Sequence, residues 1–357
     1  MAQEFGTFRR TRRVPGKPGQ RINDPAGWEP EEIAATDDWA YRLNADEIAE
    51  IRHAVDAVQR RGLAIVRMTS ADFPLHNFAP VLADMRQELL EGRGFVYLRG
   101  LPVEQMSQEQ AAIAYFGIGH HLGRPISQNA DGHLLGHVKD HGGGKSIDDP
   151  HTRGYQTTAE LGFHCDHCDY VGLLCLRTAK SGGASRLASA VTLYNRMLAQ
   201  RPDLVEVLSQ DFYYTRHGEV PPGEQPWYKQ PVFSFDRGYF SARGVSNYIR
   251  KAQGLPGVPK FTAAQEEAMA LYRKTVAECA VNLDFEPGDI QFLHNHVMLH
   301  SRTAYEDWPD PKQKRHLMRL WLADDAGRPL PESVRKNFRG VVVAGFTPVV
   351  PFDVEAA

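Results

Sequence analysis

Three short stretches carry residues whose type and spacing suit metal chemistry. The first is Phe163-His164-Cys165-Asp166. At a strand end, side chains alternate with period two, so His164 and Asp166 face the same way. One imidazole and one carboxylate together suit a borderline divalent metal. The second stretch is a Glu286-Pro287-Gly288-Asp289 turn feeding Ile290 to His294, then His296, then His300-Ser301-Arg302. One histidine from this region would complete a set of two histidines and one carboxylate, with His294, His296 and His300 as candidates. Such a set fills one face of an octahedron and leaves the opposite positions open, as non-haem iron(II) oxygenases require. The third stretch is Arg315-His316-Leu317-Met318-Arg319. On a strand, Arg315 and Arg319 share a face. Two inward guanidinium groups call for an anion, because isolated buried charge is costly and arginine grips carboxylates bidentately. Taken singly, each stretch also has a bland reading: a chance H-x-D, or two surface arginines.

Two other motifs point elsewhere. Cys165-x-x-Cys168 with His164 and His167 resembles half of a zinc site, but no second C-x-x-C exists and Cys279 stands alone. Gly142-Gly143-Gly144-Lys145-Ser146 resembles the tail of a phosphate loop, yet position 139 is Lys where the motif needs glycine. It reads as a loop, with a role as a lid over the site.

The elements that must position these residues follow from periodicity and caps. Residues 1–40 read as an extended arm, basic at its start and without apolar period. Asn44 with Glu47 caps a helix carrying Ile48, Ile51, Val55 and Val58 on one face. Leu63 to Val66 reads as a short buried strand. Helices follow at about 78–90 and from Ser107 to Ile118, flanking a strand at Phe95 to Leu98. Residues 123–155 read as a long loop holding one strand, Leu134 to Val138. Strands are expected at 161–164, 170–176, 212–215, 232–235, 291–294 and 317–322. Helices are expected at 190–200, 203–208 and 263–280. Helices first and short strands afterwards describe an α+β protein on an antiparallel β core. Residues 41–357 form one domain, with a helical insertion at about 190–280.

The 357 residues, 42% of them hydrophobic, suffice for a sizeable core. A net charge of -3 gives no reason to expect nucleic acid or an anionic membrane as partner. No apolar run is long enough to span a bilayer. Four cysteines in so long a chain are no disulfide framework, so a reducing, cytoplasmic setting is expected. The basic arm leaves a homo-oligomeric contact open.

Set side by side in their order along the chain, these stretches resemble the taurine dioxygenase-like (TauD/TfdA) family of Fe(II)/2-oxoglutarate-dependent oxygenases. Lys180-Ser181-Gly182-Gly183-Ala184-Ser185 adds to the match, and the stretches span roughly the last 55% of the chain. The resemblance implies a double-stranded β-helix, the clavaminate synthase-like jelly roll, with flanking helices. It implies that His164, Asp166 and His300 hold Fe(II), that Arg315 and Ser185 bind 2-oxoglutarate, and that Arg319 faces cosubstrate or substrate. O2 would be the co-oxidant, and a small organic molecule the substrate, hydroxylated at an unactivated C–H bond with release of succinate and CO2. Two rivals stand beside this reading: a non-catalytic metal-binding β-barrel, and a zinc hydrolase using the same histidines.

Overall fold

The computed structural model describes residues 13–140, 154–338 and 340–353. Two sheets dominate it. The larger has seven strands. It runs Ala40–Arg42, Phe95–Arg99, Ile290–His294, Tyr170–Arg177 and His316–Ala323, and the last strand pairs on its outer edge with both Arg124–Pro125 and Leu135–Val138. Only the Ala40–Arg42 pairing is parallel. The smaller sheet is antiparallel, in the order Ala280–Leu283, Ser185–Ser189, Met298–Arg302 and Leu161–His164. From residue 161 onward the chain crosses repeatedly from one sheet to the other.

Alternation along His316–Ala323 explains how both faces of the large sheet are used. Met318, Leu320 and Leu322 pack with Ile51, Met85 and Phe116 of three helices: Ala45–Arg60, Ala79–Glu91 and Gln108–Leu122. Leu317, Arg319 and Trp321 point the other way, into a cavity shared with the small sheet. Each fully buried aliphatic side chain on the helix face contributes about 1.5–3 kcal/mol. That face is thus a rigid backing for the residues opposite.

The helices begin where expected. The Asn44 side chain accepts the Glu47 amide in a capping box, and Ser107 with Gln110 does the same. Leu63 to Val66 is not a strand: Ile65–Arg67 forms one 3-10 turn. The run is too short to cross a sheet and only Ile65 of it is buried. Residues 13–40 are not loose either. Trp28 packs edge-on against Phe95 at 5.6 Å and Trp39 against Tyr97 at 5.1 Å. A short helix, Pro30–Ala34, interrupts the extended segment. Arg13 and Arg328 both pair with the buried Asp24, joining this segment to the C-terminal part. The segment 190–279 leaves the small sheet after Ser189 and re-enters it at Ala280, so its helices and hairpins hang from two paired strands. The Gly142 to Ser146 loop lies outside the described residues.

Candidate active site

His164 ends the Leu161–His164 strand, and Asp166 lies two residues beyond it. Across the small sheet, His300 sits directly opposite His164 in strand register. Their rings are 4.2 Å apart, and one ligand atom each from His164, Asp166 and His300 lie within 4.8 Å of one another. All three line a cavity of about 430 Å³ between the sheets.

The protonation states suit a metal. Ligands must offer a neutral imidazole or an ionised carboxylate. Burial pushes both histidines below their usual range, and His300 is held at about 3, with His164 adding to the effect. Burial alone would raise the Asp166 carboxyl, but Arg319, the two histidines and the Trp321 N–H outweigh it and hold it well below the carboxylate range. His164 Nδ1 donates to the Gly162 carbonyl at 2.9 Å, which leaves Nε2 for a ligand. His300 Nδ1 is buried without a hydrogen-bond partner among the described residues. This donor set fits Fe(II).

An anion site adjoins it. Arg302 and Arg315 are buried, and both guanidinium groups lie over the Tyr305 ring, at 4.7 and 5.2 Å. Arg302 Nη2 donates to the Thr157 carbonyl at 2.8 Å and to the Ala159 carbonyl. Its Nε and Nη1, and Nη1 of Arg315, have no partner among the described residues. Burial, and then Arg315, lower the Arg302 pKa to about 10. Two adjacent buried cations with spare N–H groups are a receptor for a carboxylate. Ser185 is buried on the same wall and meets Gln291 Nε2 at 3.2 Å, while Gln291 also donates to Tyr97 Oη.

Arg319 lines the cavity too, with two of its three nitrogens engaged. Nε donates to Gln128 Oε1 at 2.8 Å, and Nη1 lies 3.4 Å from Asp166 Oδ2. The two competing histidines are elsewhere. His296 Nε2 pairs with Asp169 Oδ1 at 2.8 Å, and His294 packs against Tyr170; neither lines the cavity. Cys165 and Cys168 belong to no group of three metal-ligating side chains among the described residues. A second such group, His137, His316 and Asp353, is better read as a hydrogen-bond chain. Arg177 donates to His316 Nδ1 at 3.1 Å. His316 Nε2–H then donates to His137 Nδ1 at 2.8 Å, and His137 Nε2–H to the Pro351 carbonyl at 3.0 Å. No ring nitrogen is left over.

Sequence reading names Arg302 beside His300 without a role, and passes over Trp321 and Gln128. Period two supplied a signal for the first two, since Arg302 follows His300 by two and Trp321 follows Arg319 by two. Gln128 had none.

The chain belongs to the taurine catabolism dioxygenase TauD, TfdA family, whose profile matches residues 47–321. Membership makes it an Fe(II)- and 2-oxoglutarate-dependent dioxygenase, and neither the zinc-hydrolase nor the non-catalytic reading survives it. It is 31% identical over 325 residues to FR-33289 synthase of Streptomyces rubellomurinus, covering 89% of this chain and 94% of that protein. It is 30% identical over 317 residues to the taurine hydroxylase-like protein SAT17 of Stachybotrys chartarum, covering 85% and 80%. Among solved structures, an asparagine oxygenase complex aligns with TM-score 0.59 at 18% identity, over 80% of this chain and 93% of that one. A complex of the non-heme iron oxygenase OrfP aligns with TM-score 0.61 at 15% identity, over 80% and 94%. At these identities the two structures speak for the fold. No helix among the described residues is long and apolar enough to cross a membrane.

Proposed function

We propose that the protein hydroxylates a C–H bond of a small organic substrate, with Fe(II) held by His164, Asp166 and His300. The observation that carries this is the convergence of the three ligands beside two buried guanidinium groups with unpaired donors. The core is read as a double-stranded β-helix, because the chain passes between the two larger sheets both from 161 to 189 and from 280 to 323. The asparagine oxygenase structure holds Fe(II), succinate and a hydroxyasparagine, and an OrfP structure holds Fe, succinate and a hydroxyarginine. Carried to this chain, the reaction consumes 2-oxoglutarate, O2 and R–H and yields succinate, CO2 and R–OH.

Fe(II), when bound, supplies the activation of O2 that organic side chains cannot. The residues of the chain position and exclude. Arg315 and Arg302 receive the far carboxylate of 2-oxoglutarate, with Ser185 beside them. Leu173, Phe285 and Leu317 give that part of the cavity an apolar lining that keeps water from competing for the guanidinium groups. Asp166 fills the carboxylate position of the ligand set, so no protein-vacated place exists for a halide, and hydroxylation is favoured over halogenation. Four buried, unpaired cysteines fit a cytoplasmic setting.

The test is anaerobic addition of Fe(II) and 2-oxoglutarate, followed by the visible charge-transfer band of the chelate. Wild type and His296→Ala should develop it, and His300→Ala should not. A full band in His300→Ala, with none in His296→Ala, would move the metal to another histidine.

A further inference from the structure

The geometry points to a two-donor clamp on the metal-binding carboxylate: Trp321 and Arg319 together hold Asp166 Oδ2, so that Asp166 offers a metal one oxygen only. This rests on the Fe(II) reading given above and adds positioning residues to it.

Trp321 Nε1 donates to Asp166 Oδ2 at 2.8 Å, and Arg319 Nη1 lies 3.4 Å from the same oxygen. An indole N–H only donates, and a buried donor left without an acceptor is costly. Trp321 is 2% exposed, so its bond has no solvent substitute. A carboxylate oxygen has two lone pairs. With one turned to Trp321 and one to Arg319, Oδ2 has none left for a cation. Oδ1 then remains as the ligand atom.

The donors are themselves fixed. Arg319 is anchored through Nε to Gln128 Oε1 at 2.8 Å. Gln128 is buried and returns its amide N–H to the carbonyls of Arg319 at 2.8 Å and Leu134 at 3.2 Å. A Cβ on Gly136 would stand 2.4 Å from Gln128 Oε1, so the backbone there leaves just enough room for the amide. Arg243 Nη1 holds the Asp166 carbonyl at 2.9 Å, and Asn295 Oδ1 accepts the Asp166 amide at 3.3 Å. Asp166 is therefore restrained at its amide, its carbonyl and one carboxylate oxygen, and cannot swing to present both oxygens.

The consequence is a count of open positions. In an octahedron, two imidazoles and one carboxylate oxygen leave three positions, and a chelating 2-oxoglutarate leaves one. A bidentate Asp166 would leave two and then none, closing the place O2 must enter. The clamp is thus a device for keeping the cosubstrate complex open.

The experiment uses Mn(II) as an Fe(II) substitute, with EPR broadening by ¹⁷O-labelled water to count bound waters, and needs no substrate and no turnover. Wild type with Mn(II) and 2-oxoglutarate should retain one water; none would overturn the clamp. Trp321→Phe removes the N–H and keeps a ring. It should lose that water while binding Mn(II) within about threefold of wild type, because the freed oxygen takes the place. Trp321→His restores a donor and should recover it. A water retained in Trp321→Phe overturns the role of Trp321, as does a loss of Mn(II) affinity without change in water count. If wild type binds neither Mn(II) nor Fe(II), the metal site itself fails instead. Where a variant does not fold, a wild-type count of no water still overturns the clamp.

Discussion

Replacing Arg315 by Met should weaken 2-oxoglutarate binding strongly while leaving the metal-free protein about as stable as before. Arg315 is 5% exposed, and among the described residues no carboxylate lies within ion-pair distance of it. Burial accordingly lowers its pKa, so its charge is held against a desolvation cost. Its one fixed polar contact in the segment is through the backbone, whose amide donates to Asp307 Oδ1 at 2.7 Å, and a methionine keeps that bond. What Met forfeits in the metal-free state is the cation–π contact with Tyr305 at 5.2 Å, worth about 1 kcal/mol, and what it relieves is the desolvation cost of a buried charge, which is at least as large. The melting temperature should then fall by no more than about 3 °C. With cosubstrate the balance reverses. A charge-assisted hydrogen bond contributes about 1.5–3 kcal/mol, and loss of the bidentate grip at about 3 kcal/mol corresponds to roughly 150-fold in Kd. Calorimetric titration of 2-oxoglutarate into the anaerobic Fe(II) protein measures the second quantity, and a thermal melt of the metal-free protein the first. A Kd within threefold of wild type would remove Arg315 from the cosubstrate site. A melt lowered by more than about 8 °C would make it a structural residue.

Arg302→Met should raise the 2-oxoglutarate Kd by about tenfold to a hundredfold, less than Arg315→Met, because Arg302 already spends Nη2 on two carbonyls; equal or greater loss in titration would reverse the ranking. Gly244→Ala would set a Cβ 2.8 Å from His164 Cα and 3.2 Å from the Phe163 carbonyl, both backbone, at a cost of about 1–3 kcal/mol. It should lower Fe(II) affinity at least about tenfold with the circular dichroism unchanged, and wild-type affinity would show that the strand end at His164 yields freely or holds no metal. Acid should destabilise the metal-free protein through His300, whose pKa falls from 6.5 to about 3 on burial. Above pH 6.5 both folded and unfolded states are neutral there. Below it the unfolded chain takes up the proton first, so stability falls by about 1.4 kcal/mol per pH unit for this group until pH approaches 3. Urea unfolding at pH 7.5 and 5.5 measures this, and an unchanged midpoint would mean that His300 is not buried neutral.

The difference between what the sequence disclosed and what it hid follows the range of the interaction involved. Caps and amphipathic stripes are local, and Asn44, Glu47, Ile51 and Val55 announce their helix within a dozen residues. The Met298–Arg302 strand announces nothing, because all five of its residues are buried and the alternation that marks a strand is absent. His294, His296 and His300 are equivalent in type and nearly so in position. They are separated by pairing: His300 faces His164 across the small sheet, whereas His294 ends a strand of the large sheet and turns to Tyr170. Register between strands 136 residues apart in the chain has no local signature, and family resemblance, not spacing, singled out His300. Arg319 makes the same point through its hydrogen bonds. Period two places it in the cavity, but the partners of its Nε and Nη1 there are Gln128 and Asp166, on loops remote from it in sequence. A chain of this kind states which side chains reach the cavity; only the tertiary pairing decides which of their hydrogen-bonding groups are still free when they arrive.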